Sequence, residues 1–202
     1  MTPFRSHTGT AVPLRRRDVD TDQIIPARFC TNPARTGFAG GLFADWRAEP
    51  GFVLNDPRHR AATVLVAGES FGTGSSREAA VWALLDYGFR VVVAPSYGDI
   101  FRANSLMNGL VTVTAPAPVV DRLQRLSEAG HAEVTVDLER RELRAPGIVH
   151  RFPFDADWRD RLLNGLDPIA ATLRHEAEIA AYERARRPTP RTTEPRMTHA
   201  AL

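Results

Sequence analysis

No lysine occurs in this chain of 202 residues; all 26 basic side chains are arginine. That points to a GC-rich coding sequence more than to a physical demand. There is one cysteine, Cys30, which rules out an internal disulfide and any cysteine-rich metal site. The six histidines, His7, His59, His131, His150, His175 and His199, never fall at ligand spacing, so no metal is expected on this chain. No apolar run approaches the roughly 20 residues of a membrane span. The N-terminus, Met1-Thr2-Pro3-Phe4-Arg5-Ser6-His7, lacks the apolar centre of a signal peptide. These absences predict a cytoplasmic protein that does not engage a membrane.

Acid and base nearly balance, at a formal net charge of +2. From Arg184 onward there are five arginines against one glutamate, a net +4, which leaves about −2 for the rest. The basic stretch has no interleaved aromatics, so no nucleic-acid partner is expected. Its last part, 188–202, is rich in proline, threonine and arginine and is predicted to be a disordered basic tail. The 43% hydrophobic content suits one globular domain with a real core over 1–187.

What is present is concentrated in Ala67-Gly68-Glu69-Ser70-Phe71-Gly72-Thr73-Gly74-Ser75-Ser76-Arg77-Glu78. An apolar run, Thr63-Val64-Leu65-Val66, precedes it and reads as a buried strand. Ala79 to Leu85 after it reads as helix. Ser75 and Glu78 have the spacing of a capping box, which predicts a helix starting at or beside Ser75. Free backbone N–H groups at such a start, with Arg77 in the first turn, attract carboxylate or phosphate. A strand, a glycine turn and a capped helix also occur in many proteins with no ligand there. The run lacks the G-K-[ST] ending of a phosphate-binding loop, and Arg77 replaces the last glycine of a dinucleotide fingerprint.

The remaining pattern is α/β. A strand is expected within 4–14, and a loop that is mobile and glycine-bearing over 28–41. Strand 62–67, helix 75–87 and strand 90–94 make a βαβ unit with parallel, buried strands. A helix carrying Ile100, Phe101 and Leu106 ends at Asn108-Gly109, and Leu110–Thr114 reads as a strand. An amphipathic helix through Val120 and Leu123 stops at Gly130. Strands 134–138 and 142–145 fit a hairpin, and 148–154 a further strand. Asp155 caps a helix to Leu163, and one last helix runs from Asp167-Pro168 to about Arg184. Asp18, Asp20 and Asp22 alternate as calcium ligands do, but the glycine and distal glutamate of an EF-hand are absent. Asp20 and Asp22 could equally form Asx turns or cap a helix.

Several motifs occur together in order: Asp18-Val-Asp-Thr-Asp-Gln-Ile-Ile-Pro26, Arg35-Thr-Gly-Phe38, Phe52-Val-Leu-Asn55, Phe71-Gly-Thr-Gly-Ser-Ser-Arg-Glu78, Asp86-Tyr-Gly-Phe89, Gly98-Asp-Ile-Phe101 and Gly165-Leu-Asp-Pro-Ile-Ala-Ala-Thr-Leu173. They resemble the small-subunit family of 3-isopropylmalate dehydratase, which is similar to the C-terminal domain of aconitase. The resemblance spans residues 4 to about 187. It implies a three-layer β/β/α swivelling domain and a large-subunit partner, in a heterodimer or heterotetramer, that holds a [4Fe–4S] cluster. One cysteine here is consistent with a cluster held elsewhere. The implied reaction is a hydro-lyase one, interconverting 2-isopropylmalate and 3-isopropylmalate by dehydration and rehydration in leucine biosynthesis.

By the same resemblance Ser75 is the catalytic base, Arg77 supports it and binds a substrate carboxylate, and Ser76 contacts substrate. Thr21 and Asp22 match the Thr-Asp motif of aconitase and add polar groups to the site. Arg35 or Arg28 supplies another carboxylate contact. A serine can act as a base only where its alkoxide is stabilised, and an adjacent guanidinium with helix-start N–H groups would do this. The leaving hydroxyl goes to the partner's iron as Lewis acid.

Three positions depart from the family pattern. Ala79 stands where a histidine is common, Thr73 where cysteine is common, and Cys30-Thr31-Asn32-Pro33-Ala34 replaces a basic or bulky segment. Ala79 and the altered 30–34 loop motivate one alternative, a sister hydro-lyase for another 2-alkylmalate, homocitrate or citramalate; Ala79 alone motivates a second, an anion-binding module without catalysis.

Overall fold

The regular run after Ala62 folds as its periodicity predicts. In the computed structural model, which describes residues 1–31, 34–75, 77–130 and 133–186, β1 (Ser6–Leu14), β2 (Val64–Ala67), β3 (Val91–Ala94) and β4 (Val111–Thr114) are joined in parallel order β1-β2-β3-β4. β5 (Glu133–Asp137), β6 (Glu142–Ala145) and β7 (Ile148–Arg151) extend the sheet with antiparallel pairs beyond β1. The short helices α1 (Thr21–Ile24) and α2 (Ala44–Arg47) lie in the first crossover. The helices α3 (Glu78–Tyr87), α4 (Asp99–Met107) and α5 (Ala117–Glu128) connect the later strands, and α6 (Ala156–Asn164) follows β7.

β1 is the shared strand. Its residues Ser6–Thr10 pair with β5, and its residues Ala11–Leu14 pair with β2. Both faces of the parallel half are buried, which is why its strands read as unbroken apolar runs rather than alternating ones. Val12, Leu65 and Val92 enter one core with Val81 and Leu84 of α3. Ala11, Val64, Val66 and Val93 enter a second core with Leu123 of α5 and with Val134, Val136 and Leu143 of the antiparallel half. Gln124 of α5 pins the two strand ends beside the glycine stretch, donating to Leu14 O at 3.3 Å and Val66 O at 3.2 Å.

Three expectations change. α3 begins at Glu78, and its N-cap Arg77 makes no side-chain capping bond. The Ser75/Glu78 box therefore does not form. The capping box that does form is at α1, where Asp20 accepts from Gln23 N–H at 2.7 Å and Gln23 Oε1 accepts from Asp20 N–H at 3.0 Å. The last helix is two helices, α7 (Pro168–Leu173) and α8 (Glu176–Ala185), separated at a turn in which His175 N–H meets Thr172 O at 3.0 Å. No proline or glycine marks that break. The segment expected as a mobile loop contains single 3-10 turns at Ala27–Phe29 and Ala39–Gly41.

The chain divides into two compact units, Met1–Pro168 and Ile169–Leu202. In the second, α8 leaves Ile179 and Tyr182 exposed. The tail expected over 188–202 lies outside the described residues. Among the described residues no helix is long and apolar enough to cross a membrane.

The glycine stretch is clamped between two neighbouring loops. Gly72 has φ +77°, and a Cβ there would lie 2.2 Å from Phe101 Cγ. Gly98 crosses the Gly72 backbone so closely that a Cβ on it would sit 2.4 Å from Gly72 O. Gly98→Ala forces this crossing apart and is expected to cost about 2 kcal/mol or more in urea unfolding; an unchanged midpoint would show that the crossing is not rigid.

Burial pushes the imidazoles of His59 and His7 below their ordinary pKa of 6.5, with Asp56 opposing at His59 and Arg90 reinforcing at His7. A lowered folded-state pKa means that the unfolded chain takes up the proton first. This stability is complete above the unfolded value and is lost as pH falls toward the folded one. The urea midpoint should drop between about pH 7.5 and about pH 5, and His59→Gln should reduce that drop. Equal slopes for both proteins would refute the assignment.

Candidate active site

Backbone hydrogen bonds place the glycine stretch before any side chain does. From one side, Gly72 N–H and Thr73 N–H donate to Val19 O at 2.7 and 3.2 Å, and Thr21 N–H donates to Thr73 O at 3.0 Å. From the other, Phe71 N–H donates to Ser96 O at 3.1 Å and Gly98 N–H to Phe71 O at 3.0 Å. Ser70 takes a left-handed backbone with φ +58°, and its N–H is met by Ser96 Oγ at 2.9 Å. A non-glycine residue in that region carries about 1 kcal/mol or more of strain, which these bonds offset.

Ser75 lies just beyond the clamp and is exposed. Its carbonyl accepts a hydrogen bond from Thr21 Oγ1, a buried hydroxyl on α1. Arg77 is half-buried, and its guanidinium donates to the carboxylate of Asp22, also on α1. Ser75, Arg77, Thr21 and Asp22 are thus brought together from two stretches far apart in sequence. Among the described residues, no backbone acceptor meets the N–H groups of Gly74 and Ser75. They stay available to an anion, although the helix itself starts only at Glu78. The helix-start contribution expected at Ser75 is therefore smaller than its sequence suggests, and the guanidinium and the loop N–H groups carry more of it. Ser76 lies outside the described residues.

The structure separates the two further arginines. The Arg28 guanidinium binds Asp45 and lies 5.0 Å from the Phe29 ring. That hydrogen bond holds the Asp45 carboxyl below the usual carboxylate range. Arg35 is exposed, and its guanidinium lies 5.9 Å from the Trp82 ring of α3. Phe38 packs on the same ring at 5.5 Å, and its N–H donates to Asp86 at 2.8 Å. The end of the 28–41 segment is thereby docked on the helix that Arg77 caps.

The alternating acids do not gather. Asp18 pairs with Arg17, Asp20 caps α1, and Asp22 meets Arg77. Among the described residues no group of three or more His, Cys, Asp or Glu could hold a metal ion. Cys30 is half-buried and is the one thiol of the chain, so the residues present do not fit a cluster that needs several thiolates.

Asn108 reads in the sequence only as a helix stop, yet its side chain links α4 to α3. Trp82 Nε1 donates to its Oδ1 at 3.2 Å, and its Nδ2 donates to Glu78 Oε1 at 2.8 Å. Two clefts, one lined by Asp99, Arg102, Trp158 and Arg161 and one by Arg16, Glu49, Phe52 and His59, do not include the glycine stretch. Ser75 and Asp22 are both exposed, so the candidate site faces the surface of this chain.

Residues 1–118 match the aconitase C-terminal domain family, and residues 169–193 match the family of C-terminal domains from the 3-isopropylmalate dehydratase small subunit. A 3-isopropylmalate dehydratase small subunit of Streptomyces griseus is 59% identical over 187 residues, 92% of this chain and 95% of that protein. One from Streptomyces coelicolor is 58% identical over 190 residues, 94% and 96% of the two chains. A crystal structure of 3-isopropylmalate dehydratase from Methanocaldococcus jannaschii superposes with a TM-score of 0.63 at 25% identity, covering 88% of this chain and 99% of that one. The α/β class and the likeness to aconitase's C-terminal domain both hold. With relatives this similar along nearly its full length, the chain belongs to the 3-isopropylmalate dehydratase small-subunit family.

Proposed function

We propose that this chain is the small subunit of a hydro-lyase that interconverts 2-isopropylmalate and 3-isopropylmalate in leucine biosynthesis. The observation that carries the reading is the meeting of Ser75 and Arg77, at the end of the glycine stretch, with Thr21 and Asp22 of α1, in a chain of this family. A site this exposed is half of one. The other half belongs to a large subunit, as the relatives' designation as small subunits suggests. The reading assigns the [4Fe–4S] cluster to that partner, since this chain has one cysteine. It also puts the heterodimer, or a heterotetramer built from it, in the cytoplasm with the rest of amino-acid synthesis.

The chemistry asked of this chain is proton transfer and carboxylate binding. Ser75 Oγ takes the proton from the carbon beside a substrate carboxylate and returns it in the reverse direction. As alkoxide it is favoured by the Arg77 charge and by the unmet N–H groups of Gly74 and Ser75. Arg77 offers a planar fork for one carboxylate of the substrate. In the structure Asp22 takes one nitrogen of that fork, Nη1. A substrate carboxylate would share or displace it, and Asp22 would then turn to the substrate hydroxyl. Ser76 adds a substrate contact. Arg35, on its Trp82 platform, is the better placed of the two further arginines, because Arg28 is already tied to Asp45.

The chain purified with a cognate cluster-loaded large subunit should turn over 2-isopropylmalate in preference to citramalate and homocitrate. Ser75→Ala should lower kcat by about 10²–10⁴-fold with the complex still assembled by size-exclusion chromatography. Arg77→Lys should raise KM, since an ammonium cannot make the bidentate contact. A wild-type complex without turnover of 2-isopropylmalate would remove the reading, and a better rate on another 2-substituted malate would move this chain to a sister enzyme.

A further inference from the structure

The first turn of α3 has an unusual start. Its N-cap is Arg77, in an extended conformation with no side-chain capping bond. Such a turn has unmet N–H groups and is prone to fray. The residue expected to close it from within, Glu78, instead points its carboxylate across to α4. There Asn108 Nδ2 donates to Glu78 Oε1 at 2.8 Å and to Asn104 O at 2.8 Å. The same amide accepts from Trp82 Nε1 at 3.2 Å through its Oδ1. Both of its amide hydrogens and its oxygen are therefore used.

These bonds join the two arginines of the proposed site. Arg77 precedes Glu78 directly. Trp82, one turn later, carries Arg35 over its ring at 5.9 Å and Phe38 against it at 5.5 Å. Asn108 touches both anchor points and neither arginine. It sits at the C-cap of α4, where its own N–H is spent on Asn104 O at 3.1 Å and Ser105 O at 3.2 Å. The backbone of this residue is thus fixed independently of α3.

We propose that Asn108 is a positioning residue for substrate recognition: by holding Glu78 and Trp82 at once, it sets the relative placement of the Arg77 and Arg35 guanidinium groups that take the substrate's carboxylates. This rests on the function proposed above. Ser75 is held separately, through Thr21 Oγ1 and the Thr21–Thr73 backbone bond. Arg77 also stays tied to Asp22, so its charge remains beside Ser75 while the spacing of its fork to Arg35 changes; losing the brace should therefore weaken carboxylate binding in ground state and transition state alike, raising KM with a much smaller loss of kcat.

Asn108→Asp places a carboxylate against Glu78 while keeping an acceptor for Trp82. In the complex with the large subunit it should raise KM for 2-isopropylmalate about tenfold and change kcat less than about threefold. Adding Glu78→Gln supplies a donor from the other side and should return KM to within about threefold of wild type. Amide exchange at Ala80–Trp82 should quicken in the single variant and recover in the double. Trp82→Phe, which removes only the indole N–H and part of the platform, should raise KM by about threefold and serves if Asn108→Asp does not fold. An active wild-type complex with KM unmoved by Asn108→Asp, or a kcat loss that the double variant does not reverse, overturns the brace alone. A wild-type complex silent on every 2-substituted malate overturns it together with the function beneath it.

Discussion

The close crossing of the Gly72 and Gly98 backbones is the constraint on which the rest depends. It lets two loops, 16–21 and 95–98, grip the glycine stretch from opposite sides through main-chain hydrogen bonds. A side chain on Gly98 would press on the Gly72 carbonyl, and one on Gly72 would press on the Phe101 ring. Because the grip is made by backbone, the side chains beyond it remain free for chemistry. Ser75 and Arg77 lie two and four residues past the last clamped residue, Thr73, at a place where main-chain order is imposed from outside rather than by the helix that follows.

That arrangement also explains why the fold is legible in the sequence and the site only partly so. The parallel half is readable because burial on both faces leaves continuous valine and leucine runs, as in Val64-Leu65-Val66 and Val91-Val92-Val93. The amphipathic α5 and the Asp155-capped α6 carry the 3.6-residue pattern and a stop glycine. The start of α3 escapes such a reading because a local spacing, Ser75 to Glu78, competes with a tertiary bond from Asn108 that no window of neighbouring residues contains. Asp20 as a helix cap is local and readable as one of the alternatives to an Asx turn; the structure selects the cap and adds its Gln23 half.

The motif set says which residues lie together, but not how they are held. Thr21 and Asp22 come from a resemblance, and the structure supplies the physical content. One hydroxyl secures the Ser75 carbonyl and one carboxylate secures the Arg77 guanidinium. The choice between Arg28 and Arg35 cannot be made from sequence, since both are exposed arginines near the same loop. It turns on Asp45, a partner 17 residues from Arg28, and on a tryptophan of another helix.

β1 has a mechanical consequence. Its first five residues belong to the antiparallel half and its last four to the parallel half, so two different ladders meet end to end on one strand between Thr10 and Ala11. What resists their separation is the core they share, where Val64 and Val66 pack with Val134 and Val136. A polar side chain buried at any of those four valines would therefore loosen both sheet halves at once, and the strain would fall on the single peptide link where the ladders change partner.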